Sequence, residues 1–247
     1  MDNGKKFLIT PFFGILYNLA YSHFNSMHYF ATDTLFWSLT RLFTHYHRII
    51  EPIINNQSIN SFFIESDIEN FIIRQKIILN DIAYIIRQIL PTNIQSLKNP
   101  TSIKKEMRFK DIKDYVKKDD RFNNLNEIFE KNEIWMSKIE NLREGIIHFK
   151  SKASVFETKP CLSFTILNAY GRGGIGSTSN NGSIPKIPVF DFINTQIKSL
   201  WDFLNTDLTK WLQNYIQDEK MNYKEIGKDS KMSCTGIALF KEVNNIE

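Results

Sequence analysis

The feature that most limits what this chain can fold into is a proline-free run from Phe122 to Phe149. Its apolar residues are Leu125, Ile128, Phe129, Trp135, Ile139, Leu142, Ile146 and Phe149, mostly three or four apart. That spacing winds one apolar stripe along a helix of 3.6 residues per turn and leaves the opposite side polar. A stripe of this length has to be covered, and other parts of the chain carry matching stripes.

From Ser26 to Ile50, Tyr29, Phe30, Phe36, Trp37, Leu39, Phe43, Tyr46 and Ile50 predict a helix, ended by Pro52 and the polar run Asn55–Ser58. A second helix is expected from about Phe62 to Leu90, stopped by Pro91, and a short one from Phe109 to Val116. A last long helix should start near Val189 and bury Phe192, Ile193, Ile197, Leu200, Leu204, Leu208, Trp211 and Tyr215. Between these helices, Cys161–Leu167 alternates with period two and reads as a strand. Gly171–Gly182 reads as a loop, and Cys234–Phe240 as a second short strand able to pair with the first. The 42% hydrophobic and 23% charged content is that of a globular protein.

With no repeat and no long polar linker, the expectation is a single all-α domain over residues 1–247. It is an up-and-down bundle of four or five helices with a small β-hairpin-like insertion. Aromatic-rich N-terminal helices fill 10–90, the motif helix about 121–150, the β/loop insertion about 160–187 and the C-terminal helix about 189–220.

Residues 7–32 carry no Asp, Glu, Lys or Arg, which raises the question of a membrane anchor. Pro11, Gly14, Asn18, Ser22, His23, Asn25, Ser26 and His28 interrupt the stretch, so a buried aromatic helix of a cytoplasmic protein is expected, with no membrane partner. Cys161 and Cys234 are too few for a disulfide scaffold or a four-cysteine zinc site. His45 and His47 are two apart and so fall on different sides of a helix, without a second ligand set. No metal and no cofactor is expected. Gly171–Ser177 is glycine-rich but lacks the Gly-Lys-Ser/Thr ending of a phosphate loop. The Lys104–Arg121 stretch is basic but diluted by Glu106, Asp111, Asp114, Asp119 and Asp120.

Chemistry concentrates late in the long amphipathic segment, at Asn141-Leu142-Arg143-Glu144-Gly145-Ile146-Ile147-His148. Arg143 and His148 match an R-x4-6-H spacing, and the segment resembles the motif helix of the HEPN superfamily. That resemblance implies a helical bundle that dimerises through its motif helices. It also implies metal-independent endoribonuclease activity of a toxin or phage-defence effector, with RNA as substrate and an antitoxin or regulatory protein as partner. Arg143 and His148 would be its catalytic pair. Other members of the superfamily are catalytically inactive modules that bind nucleotides or partners, which is the alternative expectation.

The residue types suit that chemistry. Histidine is the side chain whose ordinary titration falls near neutral pH, so it can move the proton of an RNA 2′-hydroxyl. Arginine stays charged and can grip phosphate with parallel hydrogen bonds. Five residues of helix advance about 7.5 Å and turn by roughly 140°. The pair is therefore expected to meet only if the helix loosens at Gly145 or if two copies come together. Glu144, four residues before His148, shares its face and is expected to orient the imidazole. Glutamate directly after the arginine departs from the Asn, Asp or His common in that superfamily.

Overall fold

The computed structural model describes residues 8–22, 26–58, 60–90, 108–148, 152–158, 161–166, 186–219 and 230–246. It is a helical bundle with a small antiparallel β insertion. Helix α1 spans Pro11–Ser22, α2 Ser26–Ile54, α3 Ser61–Ile89, α4 Phe109–Val116, α5 Asn123–Lys131 and α6 Glu133–His148. Helix α7 spans Val189–Asp202, α8 Thr209–Asp218 and α9 Thr235–Asn244. A π-helical segment, Phe203–Leu208, joins α7 to α8. No described helix is long and apolar enough to cross a membrane.

Helices α2 and α3 form the central antiparallel hairpin. The His45–Asp67 contact near the turn and the Ser38–Asp81 contact farther along show the opposite chain directions. Asn56, at φ 50°, takes the left-handed conformation in the turn, which asparagine tolerates better than most residues. Helix α2 runs two residues beyond Pro52, because proline in a last turn removes only one backbone bond.

The segment expected as one helix from 122 to 149 is two. Asn132 is buried, and its side chain donates to Ile128 O and to Asp207 Oδ2 while accepting from Trp135 Nε1 at 2.8 Å. These bonds hold its backbone at φ −96°, ψ 0°, where α5 stops. Asp207 is reached through the π segment, which Thr209 closes with a hydroxyl bond to Leu204 O, five residues back. A second correction concerns Cys234–Phe240. Cys234 precedes α9, and the residues after it are helical rather than a strand. Gly236 explains why they dock closely. A Cβ there would lie 1.8 Å from Phe43 O, so only glycine lets α9 lie this near α2. Phe240 then fills a ring cluster with Phe43, Tyr46 and Trp201.

Two small sheets complete the fold. Strands β1 (Leu8–Thr10) and β5 (Ser230–Met232) pair antiparallel. Strands β2 (Ala153–Thr158), β3 (Cys161–Ile166) and β4 (Ile187–Pro188) form a three-stranded antiparallel sheet. The partner of β3 is thus β2 rather than residues 234–240. On α3, Glu69 accepts from Ala153 N–H at 2.7 Å and Glu65 from Val155 N–H at 2.9 Å. The carboxylates satisfy amides of β2 that would otherwise stand open at a sheet edge, and they tie the insertion to the bundle.

Candidate functional site

Helix α6 presents the candidate pair. Trp135, Met136, Ile139, Leu142, Gly145 and Ile146 are its buried residues, and it packs on α3 and β3. Trp135, Ile139, Leu142 and Ile146 belong to the stripe read from the sequence, Met136 and Gly145 were not part of it, and Phe149 lies outside the described residues. Lys76 of α3 pairs with Glu140 of α6 at 2.7 Å, and Lys113 of α4 pairs with Glu133. Burial pushes the Glu133 carboxyl up, but hydrogen bonds from Lys113 and Ser137 outweigh it and hold the group below its ordinary range. A cleft of about 250 Å³ between α3, α4 and α6 is lined by these charges, Lys110 and Ser137 among others. Four of its six charged groups are matched in pairs, and neither Arg143 nor His148 borders it.

Arg143 Nη1 and His148 Nε2 lie 3.1 Å apart in one chain, on a helix unbroken from Glu133 to His148. Neither loosening at Gly145 nor a second copy is needed for this contact. Side chains on a helix lean toward its N-terminus, so the terminal imidazole is aimed back over the preceding turn. The long arginine side chain covers the remaining rise. Arginine can only donate, so Nε2 is the acceptor of this contact. Arg143 is half-buried and His148 exposed.

Glu144 is exposed and, among the described residues, makes no hydrogen bond or ion pair, so the expected contact with His148 is not formed. Two other histidines are engaged elsewhere. His45 Nδ1 lies 2.9 Å from Asp67, and His47 Nε2 lies 3.5 Å from Glu51. Among the described residues no three His, Cys, Asp or Glu side chains are grouped to hold a metal ion. The Gly171–Ser177 loop and Lys104–Met107 lie outside the described residues. In the rest of the basic stretch, Arg108 pairs with Asp111 and Arg121 with Asp119. Hydrogen bonds from Arg121 hold the Asp119 carboxyl well below the usual carboxylate range. With Lys113 on Glu133, three of the six described basic residues of that stretch are paired. Cys234 is free and half-buried, and burial pushes its thiol up, which suppresses the reactive thiolate.

Sequence reasoning missed one engaged cluster. Asp67 of α3 is 3% exposed and receives both His45 and Arg48 Nε, the latter at 3.1 Å. The signal was available in principle, since His45 and Arg48 are three apart and share a helix face.

Fold and site together define a helical bundle with a small β insertion, carrying an Arg–His pair at the end of one helix. No protein-family model matches the chain, and no curated protein or solved structure does.

Proposed function

We propose that this protein is a metal-independent endoribonuclease of HEPN type, acting as a toxin or phage-defence effector. The observation that carries the reading is the 3.1 Å approach of Arg143 Nη1 to His148 Nε2 at an exposed helix end. A scissile phosphate entering there takes over the guanidinium, and Nε2 is freed to accept the proton of the adjacent 2′-hydroxyl. The 2′-oxygen bonds to phosphorus and the bond to the 5′-oxygen breaks. The products are a 2′,3′-cyclic phosphate and a 5′-hydroxyl end. The guanidinium offsets the charge that builds on the phosphoryl oxygens.

The departing 5′-oxygen needs an acid, and two-fold pairing of α6 helices supplies a second imidazole. Ile147, 43% exposed and next to His148 in sequence, gives that helix end uncovered apolar surface for such a seam. The second reading is a catalytically inactive module that binds a nucleotide or partner protein. It draws on Glu144, whose unpaired carboxylate puts negative charge beside the pair. RNA incubated with the pure protein and excess chelator decides between them. Cleavage that disappears in Arg143→Ala and His148→Ala supports the enzyme, whereas intact RNA with the wild type favours the inactive module.

A further inference from the structure

Six residues of α2, Phe30, Thr34, Trp37, Arg41, Thr44 and Arg48, are all exposed and fall four, three, four, three and four apart. That spacing places them on one line along the helix, about 27 Å long. The line holds two aromatic rings, two guanidiniums and two hydroxyls, and no acidic residue. Phe30 is 66% exposed and Trp37 55%. Trp37 stands edge-on to Phe36, with centroids 6.3 Å apart, which supports the ring from one side. Arg48 is anchored through Nε to the buried Asp67, so its outer nitrogens remain available among the described residues. The nearby carboxylates are engaged: Asp33 accepts from Tyr17 and Glu51 faces His47. Beside the line, between α2 and α3, opens a recess of about 280 Å³ lined by Phe30, Ala31, Thr34, Asp81 and Tyr84.

We infer that this ridge is a binding track for single-stranded RNA. Bases stack on Phe30 and Trp37, and Arg41 and Arg48 hold the phosphates. The recess accepts one base between Phe30 and Tyr84. The same spacing could serve a coiled-coil seam with a second copy. Such a seam would bury Arg41 against a line that offers it no carboxylate, a costly arrangement. A polyanion with flat π faces meets both demands.

The track is separate from the Arg143–His148 pair. Asp67, which faces α2, and Lys76, which faces α6, are nine residues apart, about half a turn round α3. The choice of RNA over DNA rests on the proposed ribonuclease activity; the ridge itself does not.

The test is binding of a labelled single-stranded RNA, in chelator, to the His148→Ala protein, so that cleavage does not enter. Trp135, Trp201 and Trp211 are buried, so quenching of exposed tryptophan emission reports on Trp37 directly. Trp37→Ala is expected to weaken binding about 5- to 100-fold and Trp37→Phe far less. Arg41→Gln and Arg48→Gln should each weaken binding and lower the log–log salt slope by about 0.7. Unchanged affinity in Trp37→Ala and Arg41→Gln, equal binding of duplex, or preference for single-stranded DNA overturns the inference. If wild type fails to cleave RNA, the track still stands on this binding. If wild type cleaves while the ridge variants bind normally, only the track falls.

Discussion

Replacing Gly236 with alanine should undo the docking of α9. The added Cβ would sit 1.8 Å from Phe43 O and 2.6 Å from its carbonyl carbon, with His47 Cβ at 3.3 Å. The nearest atoms are backbone of α2, so no rotamer change relieves the overlap. Helix α9 has to withdraw by about 1.2 Å to reach even the tightest ordinary Cβ contact, 3.0 Å. Ile237 and Phe240, both fully buried, move with it, and Phe240 leaves edge contacts with Phe43, Tyr46 and Trp201. Overpacking in a core costs about 1–3 kcal/mol, and partial loss of a buried phenylalanine's packing adds to that. We expect a loss of about 3 kcal/mol, which lowers Tm by roughly 6–12 °C for a chain of this size. Circular-dichroism melts of wild type, Gly236→Ala and Phe240→Ala would measure it. Gly236→Ala melting within 2 °C of wild type would refute the close approach of α9 to α2, whatever Phe240→Ala does.

Asn132→Ala should cost about 1–3 kcal/mol in urea unfolding, because it strands the Trp135 N–H and removes a donor to Asp207; a neutral result would mean that water replaces those bonds. Asp119 has its carboxyl held low by Arg121, so the stability this adds is full above the ordinary carboxylate range near 4 and is lost as pH falls through the depressed value. The Tm gap between wild type and Asp119→Asn should therefore shrink on strong acidification, and a gap that widens would reverse the sign. Glu144→Gln should change the RNA cleavage rate less than threefold, as no bond joins Glu144 to His148; a loss of a hundredfold would give the carboxylate a role in orienting the ring.

Helices whose boundaries are set by proline or polar runs were readable from periodicity, and α3 and α4 fall within a residue of the expected ends. The break at Asn132 was not, because it depends on Asp207, 75 residues away, and on a π segment that brings that carboxylate round. Residues 234–240 have a β-like composition but become helical, since Gly236 permits a packing that local propensity does not describe. Strand β2 was likewise hidden: its edge amides depend on Glu65 and Glu69, carboxylates that read as solvent-facing on α3. The identities of Arg143 and His148 were legible, but their contact was not. Ideal wheel geometry treats side chains as short spokes, whereas an arginine can run along the axis to a ring at the helix end.

The central claim is that Arg143 and His148 break a phosphodiester through the RNA's own 2′-hydroxyl. Mass analysis of RNA ends after digestion in excess chelator tests it most directly. We predict 2′,3′-cyclic phosphate and 5′-hydroxyl ends, with His148→Ala slowed about 10²- to 10⁴-fold. Ends bearing 5′-phosphate, or the same products formed equally fast by His148→Ala, would contradict it.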